Sequence, residues 1–119
     1  MDVIKLTEEI IKNATIQGET QYSGEYKKGN RASDRLFSIW KEIKKDLIMA
    51  HEIIDALINH ENVNVRIWIC SISLDINYKV DETKLILEKI SKDKSLGILA
   101  LNAEMTFKMW LKQGYLLKN

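Results

Sequence analysis

Along the 119 residues of the chain, apolar positions recur mostly at spacings of three and four, the period of a helix with one buried face. The cleanest stripe runs through Leu96, Leu99, Ala100, Ala103, Phe107, Trp110 and Leu111, with Lys108 and Lys112 off it and Gly114 as a stop. Ser33, a good N-cap, predicts a helix that buries Leu36, Phe37, Trp40, Ile43 and Leu47. Asp46 predicts the cap of the next, with Ala50, Ile54, Leu57 and Ile58 inward, and Asp81 starts another carrying Leu87 and Ile90. The segment from Val3 to Lys28 is apolar at Ile4, Leu6, Ile10 and Ile11 and polar around Gly18 and Gly24. It reads as one long helix or two joined near Gly18, with Lys27 to Asn30 (KKGN) as the turn after it.

One stretch breaks the pattern. Asn62 to Asn77, NVNVRIWICSISLDIN, alternates apolar residues at Val63, Val65, Ile67 and Ile69 as a half-buried strand does, and β-branched residues dominate it. No other segment reads as a strand that could pair with it. On a helical wheel, Val65, Trp68, Ile69, Ile72 and Ile76 form one stripe while Ile67 and Leu74 lie opposite. A helix apolar on two faces is a central helix, and Asn62 or Asn64 supplies its N-cap. The alternation is then a by-product of two buried faces.

Composition agrees with helices. Proline is absent, glycine occurs five times, and 45% of residues are hydrophobic against 29% charged. The length suits a single domain, residues 1–119, with a modest core. The lone cysteine, Cys70, excludes an internal disulfide framework. No signal-peptide pattern opens the chain, and runs such as IWICSISL are too short to span a bilayer, so a cytoplasmic protein is expected and the Asn13 sequon carries no weight. The net charge of +1 argues against a dedicated nucleic-acid binder, and the lysine-biased region after Lys92 reads as a solvated helix face.

The run HENVNVRIWICSISL, His60 to Leu74, resembles the second half of a HEAT repeat: a polar-capped turn, then Val-Arg, then a small and apolar helix. Asn30-Arg31 before an amphipathic helix, then Val65-Arg66, then AEMTFKMWLKQG from Ala103 to Gly114, is similar to a small bacterial HEAT-like family, the domain of unknown function numbered two thousand and nineteen. The similarity spans the chain from about Asn30 onward. Where that family has paired alanines after Val-Arg, this chain has Trp68, Ile69 and Cys70. The resemblance implies an all-α fold of about six helices, in antiparallel HEAT-like pairs stacked into a short right-handed solenoid. It also implies a surface that binds another macromolecule.

Candidate chemistry is sparse. His51-Glu52-x-x-Asp55 resembles the zinc-protease helix motif with its second histidine replaced by aspartate, but no third ligand accompanies it, and a solvated helix face is the simpler reading. Cys70 lies in an apolar helix with no histidine at a recognisable spacing, as a small core residue does. Arg66 and Glu104 sit at the edges of their stripes, and an ion pair between them, or a bond from Arg66 to a turn carbonyl, is the structural expectation. Asn30 joins them as a structural polar residue. Trp40, Trp68 and Trp110 lie on apolar stripes; Trp68 becomes a binding hot spot if a groove exposes part of it. Tyr22, Glu25, Tyr26, Lys27 and Arg31 form the most distinctive surface set, with tyrosines four apart beside charges. No phosphate-cradling loop, nucleophile elbow or paired-carboxylate signature is present, and neither a metal nor a cofactor is expected.

The leading expectation is therefore a non-catalytic protein-binding module. Its most concrete form is an immunity protein that sterically blocks a cognate bacterial toxin, such as the nuclease domain of a contact-dependent growth inhibition system. The richness in Ile, Lys and Asn fits the AT-rich coding of mobile islands, whereas the near-neutral charge counts against a basic nuclease target. The alternatives are a nucleic-acid-binding HEAT-like protein and a metal-dependent enzyme using the His51/Asp55 face.

Overall fold

The computed structural model describes residues 2–118 and is all-helical over them. Its six α-helices are α1 (Val3–Ser23), α2 (Tyr26–Ile43), α3 (Leu47–Leu57), α4 (Val63–Asp75), α5 (Val80–Lys92) and α6 (Ile98–Gln113), with a 3-10 turn at Lys94–Leu96 before α6. Consecutive helices pack against each other, most extensively α1 on α2 and α5 on α6, and α1 also reaches α3, α4 and α6. The first and last helices therefore touch, and the molecule measures 35 × 30 × 26 Å.

Helix α4 is the two-faced element that its sequence implies. Asn62 caps it, its side chain accepting from the amides of Asn64 and Val65. Val65, Ile69 and Ile72 join a core built with Ile10 of α1, Ile39 and Trp40 of α2 and Ile54 of α3. Ile67, Cys70 and Leu74 point the other way, into a smaller core with Leu87 and Ile90 of α5 and Leu99 and Ala103 of α6. The strand-like alternation is the imprint of these two cores.

The first third of the chain differs from expectation, and glycine explains why. Helix α1 runs straight through Gly18 and stops at Gly24, which adopts φ 80° as a left-handed C-cap and bonds its amide to the Thr20 carbonyl. Helix α2 then begins at Tyr26, so KKGN is helical rather than a turn and Ser33 lies inside the helix instead of capping it. Gly18 and Gly29 serve close approach. A Cβ at Gly29 would lie 2.3 Å from Thr20 Oγ1, and one at Gly18 would lie 2.8 Å from Asn64 Cβ. These two glycines let α2 and α4 settle onto α1.

Asp46 caps α3 through the Met49 amide, and Ala50, Ile54, Leu57 and Ile58 are buried, as the spacing predicts. Leu47 starts α3 and is exposed, not buried as the last residue of the preceding helix. At the other end, α6 begins at Ile98 rather than Leu96, and Leu111 is exposed. No described helix is long and apolar enough to cross a membrane.

Candidate partner-binding groove

A groove of about 300 Å³ lies where α2, α4 and α6 converge, lined chiefly by Phe37, Trp40, Trp68, Met105, Met109 and Leu116. Its floor is aromatic. Phe37 meets Trp68 edge-on at 5.1 Å between ring centroids and stacks on Trp40 at 6.0 Å, while Trp40 and Trp68 meet edge-on at 6.3 Å. Such pairings fix ring orientation beyond what burial alone does.

Polar partners lock both indoles. The Trp68 Nε1–H donates to Gln17 Oε1 at 3.2 Å, and the same oxygen accepts from Asn64 Nδ2 at 2.7 Å. Asn64 also donates to the Ala14 carbonyl, so the start of α4 is pinned to α1 at the place Gly18 leaves open. The Trp40 Nε1–H donates to Asp75 Oδ2 at 3.0 Å.

Asp75 organises the far end of the groove. Its buried carboxylate takes the Lys44 ammonium at 2.8 Å on Oδ2, and Oδ1 accepts from the amides of Leu116 and Leu117 at 2.7 and 3.1 Å. Lys44 also donates to the Leu117 carbonyl at 2.7 Å. Burial on its own raises the Asp75 pKa. The two amides, the ammonium and the indole outweigh it and hold the carboxyl below its ordinary value.

The groove's walls are softer than its floor. Phe37, expected in the core, rises from the floor and is 39% exposed, while Met105 and Met109 on the walls are 53% and 47% exposed. Methionine adapts its shape to an apolar surface laid against it, so a rigid aromatic floor faces a pliable rim.

The other predicted site residues lie elsewhere. Tyr22 and Tyr26 are on different helices: the Tyr22 hydroxyl donates to the Leu96 carbonyl at 2.6 Å, tying the end of α1 to the 3-10 turn. Glu25, Tyr26, Lys27 and Arg31 remain together around a separate shallow depression at the α1–α2 turn. Asn30 is exposed on α2. Glu104 pairs with Lys108 on its own helix at 3.0 Å rather than with Arg66, whose buried Nε has no hydrogen-bond partner among the described residues.

On the metal-like face, Asp55 accepts from the Tyr78 hydroxyl at 2.9 Å and pairs with Lys79 at 2.8 Å. Lys79 first and Tyr78 second lower its pKa, and the His51 ring stacks on Tyr78 at 3.8 Å. His51 and Asp55 thus brace the turn between α4 and α5, where Asn77 and Lys79 adopt positive φ. Burial pushes the Cys70 thiol up to about 12, which keeps it protonated and unreactive.

No protein-family model, no curated protein and no solved structure matches the chain.

Proposed function

We propose that the protein is a non-catalytic binding module that seats an apolar segment of a partner protein in the α2–α4–α6 groove. The observation that carries this reading is the groove itself: Trp68 and Phe37 held rigidly at its floor, with exposed Met105 and Met109 on its wall. Rigid, partly desolvated aromatic anchors are what interface hot spots are made of, and flexible methionines extend the contact to fit a partner's relief. In its most concrete form the module is a HEAT-like immunity protein, and the partner is a bacterial toxin domain whose active cleft it covers.

The test is titration calorimetry against the protein encoded by the adjacent gene. A tight one-to-one complex that silences that protein's activity supports the immunity form. Met109→Glu places a charge on the exposed wall with little effect on the fold, and it should weaken the complex at least tenfold, about 1.4 kcal/mol or more. Tyr26→Ala, at the other candidate patch, should leave binding unchanged. The opposite pattern would move the contact to the α1–α2 turn and overturn the groove assignment.

A second reading has one observation in its favour: Lys27, Lys28 and Arg31 surround the shallow depression at that turn. If it binds a nucleic-acid backbone, affinity for a DNA or RNA duplex should fall steeply with added salt.

A further inference from the structure

Residues 114–118 follow α6 without helix or strand and cross the end of the groove as a strap. Two consecutive leucines of the strap face two different hollows. Leu116 lines the groove, and Leu117 lines a neighbouring depression of about 430 Å³ formed with Asp34, Phe37, Ser38 and Lys41. Phe37 belongs to both. The ridge that divides the hollows is therefore Phe37 together with the strap.

The strap's attachment is unusual. Among the described residues, Leu116, Leu117 and Lys118 make no backbone–backbone hydrogen bond. Their polar anchoring converges on one place, the Asp75 carboxylate with its partner Lys44, and the rest is the half-buried packing of Leu116 and Leu117. The backbone bonds of the helices beneath do not run through it: Asp75 is the last residue of α4 and Lys44 the residue just past α2. A segment held by few backbone bonds and one polar clamp opens locally at lower free energy than the helices it covers.

We propose that the strap is a gate. Closed, it stands with Phe37 between the apolar groove and the more polar depression; lifted from Asp75 and Lys44, it opens the end of the groove beside Phe37 and frees the places of Leu116 and Leu117 for a partner's apolar side chains. The strap is thus an internal competitor of the segment that the groove receives. This role builds on the groove reading, but the gate itself is observable without a partner.

The experiment is amide hydrogen exchange by NMR at neutral pH on the intact chain, Asp75→Asn and Leu117→Ser. It is paired with binding of the apolar dye 8-anilinonaphthalene-1-sulfonate and with the Trp68 indole N–H signal. In the intact chain the Leu116 and Leu117 amides should exchange at least tenfold faster than those of Ile72 and Ala103, showing opening without unfolding. Both variants should raise that rate at least a further tenfold, increase dye binding severalfold and shift the Trp68 signal, and in Leu117→Ser Ile72 and Ala103 should keep the protection they have in the intact chain. Leu117→Ser leaves the Asp75 carboxylate in place, so it reports on the gate even if Asp75→Asn unfolds.

Two outcomes overturn the proposal. If the strap amides exchange only as slowly as those of Ile72 and Ala103 in all three proteins, the strap is a fixed part of the core. If the strap opens but dye binding and the Trp68 signal do not change, it does not control the groove. Neither result depends on whether a partner protein is ever captured.

Discussion

At the scale of single residues, Asp75 is the most heavily committed side chain among the described residues, its buried carboxylate receiving four donors, from Trp40, Lys44 and the strap amides of Leu116 and Leu117. The sign of its pH dependence follows from its lowered pKa. Its stabilising contribution is complete above the ordinary aspartate value of about 3.9 and is lost as pH falls through the lower folded value. Asn at this position keeps the shape and one acceptor but turns an NH₂ toward Lys44 or Trp40, both donors. Breaking a buried ion pair on one side costs about 3–5 kcal/mol, and because Lys44 is partly exposed the lower end is expected. Urea unfolding should therefore show Asp75→Asn about 3 kcal/mol less stable at pH 7, with the gap narrowing in strong acid. An equal gap at both ends of the range would mean that the carboxylate's charge is not what matters. Nothing in the sequence marks Asp75, because its partners lie 31 to 42 residues away along the chain and no local pattern encodes them. Trp68 was more legible: its place on a helical stripe defines it as an inward residue, though not the gap left beside it by Met105 and Met109.

At the scale of elements, the packing of α1 against α2 turns on Gly29. Replacing a helical glycine by alanine ordinarily stabilises a helix by up to about 1 kcal/mol. Here the new methyl would lie 2.3 Å from Thr20 Oγ1 and 3.1 Å from Thr20 Cβ. Thr20 cannot swing aside cheaply, since it is buried and its hydroxyl donates to the Gln17 carbonyl at 2.8 Å. The helices must move apart, at about 1–3 kcal/mol. Gly29→Ala should thus lower stability in chemical denaturation, and Thr20→Ala in the same chain should recover part of the loss as a favourable coupling. A more stable Gly29→Ala protein would show that helix propensity outweighs close approach. The same residue explains why the turn lies where the composition does not point. KKGN has a turn's composition, yet the glycine is there for a neighbour across the helix interface, and the turn falls five residues earlier at Gly24. Where a side-chain cap marks the start, as Asp46 does for α3, the inward residues Ala50, Ile54, Leu57 and Ile58 are legible in the sequence, though Leu47 is not legible as the first residue of that helix. Where the cap is backbone only, as at Lys79 and Gly97, the start of the helix was harder to place.

At the scale of the whole molecule, the question is whether the two cores on either side of α4 stand or fall together. The smaller one contains few large buried side chains, chiefly Ile67, Leu74, Leu87, Ile90 and Leu99, and two of these belong to α4 itself. That is too little apolar surface to offset the ordering of α5 and α6 without the helix that forms their wall. The larger core in turn needs Val65, Ile69 and Ile72 from the same helix. Because α4 cannot unfold for one core and remain for the other, a single cooperative transition is expected. Ile69→Ala cuts into the first core and Leu87→Ala into the second, and each removes a fully buried side chain. Each should cost about 2–5 kcal/mol, and both should lower one shared melting midpoint, by roughly 10 °C or more at about 4 °C per kcal/mol. Following α2 and α5 separately by hydrogen exchange across the melt is the decisive measurement. If Leu87→Ala releases α5 and α6 while α1 to α3 keep their protection, α4 is not a shared wall but a seam. The groove, whose sides come from α2 and α6, would then be only as durable as its weaker half.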